Sequence, residues 1–100
     1  MKKIVLITTK GCEGCSNMRD NIKEALTKID INNEIIFSVK PFENLTKDTK
    51  KKYIIRDFPT VMFFAGENLV FKYSGCMPVI VIVDWIKIYF RLKLVKVHKK

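Results

Sequence analysis

Two cysteines separated by two residues stand near the start of the chain, in the stretch KGCEGCSN at 10–17. Cys12 and Cys15 have a spacing at which thiols bind a metal, form a structural disulfide, or exchange electrons as a redox pair. The choice among these three depends on which other ligands and which secondary structure the chain provides.

A metal site is the first alternative. A structural zinc site needs four ligands, usually two cysteine pairs or one pair with two histidines. Besides the pair, the chain offers Cys76 and a single histidine, His98, which lies among C-terminal lysines that repel a cation. We therefore predict no zinc site within one chain. A metal or iron–sulfur cluster shared by two chains, with two cysteines from each, stays open.

A disulfide scaffold is the second alternative. Three cysteines are an odd number, and 100 residues that are 48% hydrophobic are enough to bury a core without cross-links. These counts argue against a scaffold of disulfides. We interpret Cys76 as a free cysteine that fills space; an auxiliary thiol and a modification site are the other interpretations.

The predicted elements around the pair favour redox exchange. Residues 3–9 are β-branched and aliphatic, which predicts a central strand covered on both faces. From Cys12 the apolar residues recur with helical spacing, and this helix ends at DINN, 30–33. Free N–H groups and the helix dipole stabilise a thiolate at a helix start. We therefore predict that Cys12 is the nucleophile and that Cys15, one turn inward, resolves the mixed disulfide.

Two charged residues close to Cys12 in the sequence are expected to affect the pKa of its thiol. Glu13 should raise the pKa of Cys12, whereas Lys10 opposes that effect from the preceding loop. Plain solvent exposure is the other interpretation of both side chains.

The rest of the chain continues an alternating pattern of strands and helices. A right-handed crossover makes the first two strands parallel. The tail from Arg91 fits either a frayed helix or an extended segment. The predicted order is β-α-β-α-β-β-α in one domain over residues 1–100. Its later elements are a strand at 34–40 stopped by Pro41, a helix at 44–57 with Leu45, Tyr53, Ile54 and Ile55 inward, and a hairpin from 60–64 and 69–73. The last segment, which contains the apolar stretch 79–90, is predicted to be a mostly buried helix with one polar stripe at Asp84, Lys87 and Arg91.

In this arrangement the chain resembles the thioredoxin and glutaredoxin family. The resemblance extends from CEGC at a helix start to IIRDFPTVMFFAGENLVFKYSG and the last helix. It implies a three-layer α/β/α fold around a four-stranded mixed sheet. Phe58, Pro59 and Thr60 are similar to the segment in which the family carries a cis proline facing the cysteines. The resemblance implies that Pro59 is cis and that these residues, with Lys10, bind substrate; a trans proline opening an edge strand is the alternative.

The sequence departs from both branches of that family. The dipeptide between the cysteines is neither the Gly-Pro of thioredoxins nor the Pro-Tyr of glutaredoxins, and Gly11 replaces a tryptophan. Leu6 stands where thioredoxins hold a buried acid, and Lys40 lies near the position of that acid's lysine partner. The segment SGCMPV lacks the acid with which glutaredoxins hold glutathione, although Lys10 and Arg56 could contact its carboxylates.

The net charge of +9 raises a different hypothesis. Lysines gather at 47, at 50–52 and again from 87 to the C-terminus, and such a field attracts acidic partners. The alternative function is therefore that of a non-catalytic basic module that binds an acidic protein or nucleic acid. The sequence contains no recognised nucleic-acid-binding motif besides these basic residues.

The residues together predict a thiol–disulfide oxidoreductase that reduces or exchanges protein disulfides through Cys12 and Cys15. We expect a monomer without a bound cofactor whose electron donor is a reductase or glutathione; a glutathione-dependent glutaredoxin is a further alternative. The apolar runs are too short for a signal peptide or a membrane span, so we expect a cytoplasmic protein with no membrane contact.

Overall fold

The computed structural model describes residues 1–29 and 35–90. The predictions for the helix end at 30–33, for Glu34 and for the tail from Arg91, including His98, fall outside these residues. The described elements follow the predicted order: β1 (Lys2–Thr8), α1 (Glu13–Thr27), β2 (Ile35–Pro41), a 3₁₀ turn (Phe42–Asn44), α2 (Lys47–Tyr53), β3 (Thr60–Ala65), β4 (Asn68–Ser74) and α3 (Val79–Phe90).

The four strands form one mixed sheet in the order β2-β1-β3-β4. The crossover through α1 makes β1 and β2 parallel, whereas β3 pairs antiparallel with both β1 and β4. The side chains of β1 from Ile4 to Ile7 are at most 4% exposed. The prediction of a central strand covered on both faces is therefore confirmed.

Alternate residues of the two central strands point to opposite faces of the sheet and build two cores. Ile4, Leu6 and Phe63 face α1 and α3, whereas Val5 and Met62 face the side that carries α2. Because side chains along a strand alternate with period two, a uniformly apolar strand supplies both cores at once. The three-layer α/β/α arrangement is confirmed.

The last helix packs one apolar stripe onto the first of these cores. Ile82, Val83, Ile86 and Phe90 are its buried residues, and the predicted polar residues Asp84 and Lys87 are exposed. Among the helices of residues 1–29 and 35–90, none has the length and apolar character that crossing a membrane requires.

The prediction of α2 was wrong at both ends. The helix begins only after Thr46, whose Oγ1 accepts a hydrogen bond from the Thr49 N–H at 3.2 Å and so caps the first turn. It ends at Ile54, whose left-handed backbone (φ 50°) cannot continue an α-helix. Ile54 is consequently 57% exposed instead of pointing inward as predicted. The next residue, Ile55, is buried in the core. Pro41 is the last residue of β2, a position that an edge strand tolerates.

Candidate redox site

The two cysteines of the CEGC stretch are joined by a disulfide at the start of α1. Their Cα atoms lie 5.5 Å apart. Cys12 is the N-cap residue of the helix, one position before its predicted place in the first turn, and is half-buried. Cys15 is only 7% exposed. Of the two cysteines, Cys12 is therefore the more accessible from solvent.

The loop between β1 and α1 sets the position of Cys12. Gly11 turns the chain with a φ of +75°, a conformation that side chains disfavour, and the Cys12 N–H donates to the Thr9 carbonyl at 3.4 Å. No side chain caps the helix at Cys12. The first N–H groups of a helix lack partners within it and carry a partial positive charge. Cys12 therefore lies at the positive end of the helix dipole.

A groove of about 620 Å³ opens beside Cys12. Three segments that are distant in the sequence form its walls: 9–14 before and within α1, 56–59 before β3, and 75–76 after β4. The Phe58–Pro59 peptide bond is cis, as the resemblance implies. The sheet brings these segments together because β1 and β3 are neighbours and β4 follows β3 in a hairpin.

Three of the predicted substrate-binding residues line this groove. Lys10 is exposed, Phe58 is half-buried and Pro59 is buried. The Phe58 ring packs on Phe42, with ring centroids 5.2 Å apart, so its side chain is held on the α2 side of the sheet.

Thr60 does not line the groove, contrary to its predicted place. Its side chain is 1% exposed, and Oγ1 donates to the Asp57 carbonyl and shares a 2.8 Å hydrogen bond with Ser74 Oγ. A buried hydroxyl needs such partners. Thr60 therefore fixes the backbone of the Pro59 segment rather than touching a bound molecule.

Solved structures share this arrangement of sheet and helices. No family model and no curated protein matches the sequence. The reduced thioredoxin pre-protein of Schistosoma mansoni is 24% identical, with a TM-score of 0.71 over 88% of this chain and 78% of that one. The chain has a thioredoxin fold. Thioredoxin-2 of the malaria parasite has a TM-score of 0.73 at 10% identity, covering 87% of this chain and 82% of that one. Chloroplastic thioredoxin z has a TM-score of 0.68 at 14% identity, covering 92% and 80%.

The third cysteine lies at the same end of this thioredoxin fold as the pair. Cys76 is exposed and lines the groove together with Cys12. Cys76 is a free cysteine as we expected, but its exposure contradicts our interpretation that it merely fills space. Cys76 follows a strand whose residues alternate in burial. The residues around it contain no pattern which indicates that the end of β4 lies at the wall of a groove.

An acid that the sequence reasoning missed holds the loop before Cys12. Leu6, at the position of the buried acid of thioredoxins, is fully buried in the apolar core. Glu43, from the 3₁₀ turn after β2, instead reaches this loop: its Oε2 accepts from Thr9 Oγ1 at 2.6 Å and from the Lys10 N–H at 3.2 Å. Chiefly through the hydrogen bond from Thr9, this setting holds the pKa of Glu43 below the ordinary carboxyl value of 4.5.

The Glu43 contacts predict a pH-dependent contribution to stability. A lowered pKa means that the folded state favours the carboxylate, so this contribution is complete above the ordinary carboxyl value and disappears as the pH falls through the native pKa. Urea unfolding of wild type and Glu43→Gln should therefore differ at neutral pH and converge in acid. The difference should be small, because the carboxylate is exposed. Glu67→Gln, in the turn between β3 and β4, is the control for removing one carboxylate. A Glu43 difference that stays constant into acid would contradict this role.

Among residues 1–29 and 35–90, no group of three or more His, Cys, Asp or Glu side chains is placed so that it could bind a metal ion.

Lys40 lies away from the groove beside Cys12. We associated this lysine with the acid that is missing at Leu6, but it is exposed and lines a different cavity, between the sheet and α2.

Proposed function

We propose that this protein is a thiol–disulfide oxidoreductase that reduces or exchanges disulfides of protein substrates. One observation carries the proposal: a disulfide at the start of a helix joins a half-buried cysteine to a buried one, beside an open groove. A disulfide that only cross-links the chain does not need to lie at a groove. A redox pair needs one of its two sulfurs to be accessible to a substrate.

The reaction starts from the reduced pair. The Cys12 thiolate attacks one sulfur of a substrate disulfide, a mixed disulfide forms, and the other substrate sulfur leaves as a thiolate. Cys15 loses its proton and attacks Cys12, so that the Cys12–Cys15 disulfide forms and the second substrate sulfur is released. Two electrons pass from the pair to the substrate, and the chain itself needs no bound cofactor.

The groove fits an extended segment of a protein substrate. Phe58 and Pro59 form one wall, and Pro59 has no N–H of its own that an incoming strand must satisfy. Lys10 and Arg56 line the groove with positive charge, next to the carboxylates of Glu13 and Asp57. These two bases also fit glutathione as an electron donor, because its carboxylates are anionic; a dedicated reductase is the other donor that we propose. The odd number of cysteines favours a reducing compartment, the cytoplasm, as the place of work.

Catalysed reduction of insulin by dithiothreitol tests this proposal. We expect the wild-type protein to accelerate precipitation of the freed insulin chains, because Cys12 is better activated than the thiols of the reductant. A rate equal to that with dithiothreitol alone would count against the proposed activity.

A second candidate function, the basic binding module, is favoured by a different observation. A cavity of about 370 Å³ lies between the sheet and α2, with Lys3, Lys40 and Lys52 among its lining residues and an apolar floor that includes Val5 and Met62. Salt-dependent retention on nucleic acid, unchanged in Cys12→Ser/Cys15→Ser, would support this function. If the protein is not retained on nucleic acid even at low salt, this second candidate function is wrong.

A further inference from the structure

Cys76 lies directly across from the first turn of α1. A Cβ atom added to Gly14 would lie 3.9 Å from Cys76 Cβ and 3.6 Å from Pro59 Cδ. Gly14 is two residues after Cys12, and all of these residues line the one groove. The Cys76 side chain therefore lies within van der Waals reach of the first turn of α1, the turn that carries the cysteine pair.

Hydrogen bonds hold the backbone on both sides of Cys76. The Gly75 N–H donates to the Pro59 carbonyl at 2.8 Å, and Asn21 Nδ2 on α1 donates to the Met77 carbonyl at 2.9 Å. Gly75 has a φ of +125°, which side chains rarely adopt, and a Cβ there would press on the Tyr73 ring at 3.2 Å. The thiol is thus presented at the groove by a fixed segment.

We propose that Cys76 is a second resolving thiol, able to release substrate from Cys12 by forming a Cys12–Cys76 disulfide. This inference rests on the proposed function. It follows from the placement of three cysteines at one end of the sheet, where an exposed thiol shares a groove with the sulfur that forms mixed disulfides.

The step balances without any further reactant. The Cys76 thiolate attacks Cys12 Sγ in the mixed disulfide, the bond between Cys12 and the substrate breaks, and the substrate sulfur leaves as a thiolate that takes a proton from water. The substrate has then gained two electrons, and Cys12 and Cys76 have lost them. When Cys15 is present, its thiolate attacks Cys12 in turn, so that the Cys12–Cys15 disulfide forms and Cys76 is free again.

The lifetime of the mixed disulfide tests this inference. Reduced Cys15→Ser and reduced Cys15→Ser/Cys76→Ser are each mixed with insulin, quenched with an alkylating agent after a series of times, and analysed by non-reducing electrophoresis and peptide mass spectrometry. We expect Cys15→Ser to release insulin chains and to accumulate the Cys12–Cys76 disulfide. We expect the mixed disulfide of the double variant to persist at least about tenfold longer, because an intramolecular thiol acts at a high effective concentration.

A matched control separates the position of the third thiol from its presence. Cys15→Ser/Cys76→Ser/Ile88→Cys restores the number of thiols at an exposed site of α3, about 14 Å along the helix from Val79 at 1.5 Å per residue. Its mixed disulfide should persist as in the double variant. Equal thermal unfolding midpoints of the three proteins check that each one folds.

Two outcomes would overturn the inference alone. Equal lifetimes in Cys15→Ser and in the double variant would remove the role of Cys76 and leave the proposed function intact, since mixed disulfides would still form on Cys12. Release by the Ile88→Cys variant as fast as by Cys15→Ser would show that any thiol suffices. Failure of every variant to form a mixed disulfide would instead overturn the proposed function as well.

Discussion

Cys12→Ser should reduce the rate of insulin reduction to that of dithiothreitol alone, because removing a covalent nucleophile lowers the catalysed part of the rate by about 10³-fold or more. A serine hydroxyl has nearly the size of the thiol but does not attack disulfides at neutral pH. Cys15 is 7% exposed and is not among the residues that line the groove, so we do not expect it to replace Cys12 as the attacking sulfur. The measurement is the initial rate of insulin precipitation at fixed dithiothreitol.

Asn17→Ser is the control for this substitution. Asn17 is exposed on α1 and is not among the residues that line the groove, so a serine there should leave the rate unchanged. Activity of Cys12→Ser equal to that of the control would show that Cys12 is not the attacking sulfur.

Phe63→Ala should lower the free energy of unfolding by about 3–5 kcal/mol, the usual cost of truncating a buried aromatic residue. Phe63 is fully buried on β3, and its ring is stacked on Phe90 at 5.1 Å and lies edge-on to Phe71 at 5.4 Å. Alanine would leave a cavity between the sheet and α3 that the neighbouring rings fill only in part. The measurement is urea unfolding, which gives the midpoint and the slope for each protein.

Val70→Ala provides the comparison on the same sheet. Val70 lies on the edge strand β4 and is 37% exposed, so its truncation should change stability by no more than about 0.5 kcal/mol. Similar losses in the two variants would mean that Phe63 does not lie at the centre of a packed core.

The parts of the fold that the sequence predicts are those whose information is local. The uniformly apolar β1 and the helical stripe of α1 each contain their own pattern, and together they place Cys12 and Cys15 at a strand-to-helix turn. The order of elements follows from the same patterns, and the preferred hand of a βαβ unit makes its two strands parallel. The three-layer arrangement was an expectation from the family resemblance rather than from these patterns.

The parts that the sequence does not predict depend on contacts between distant segments. The bounds of α2 depend on the cap at Thr46 and on the left-handed Ile54, and neither appears in hydrophobic periodicity. Glu43 lies 34 residues from Thr9 along the chain, and only the parallel pairing of β1 with β2 brings them together. Cys76 reaches the groove because β4 ends beside Pro59, which is a property of the sheet and not of the residues around Cys76.

The equilibrium between dithiol and disulfide forms tests the central claim most directly. The protein is incubated in buffers with increasing ratios of reduced to oxidised glutathione, and the free thiols are then alkylated. The reduced and oxidised forms of the protein are separated, and the cysteines that form each disulfide are identified by mass spectrometry. We predict a single two-electron transition between the reduced pair and the Cys12–Cys15 disulfide, at a potential between the roughly −120 and −270 mV of known oxidants and reductases of this chemistry. Cys12 and Cys15 that stay reduced at every ratio, or that each bind glutathione without pairing, would contradict the account.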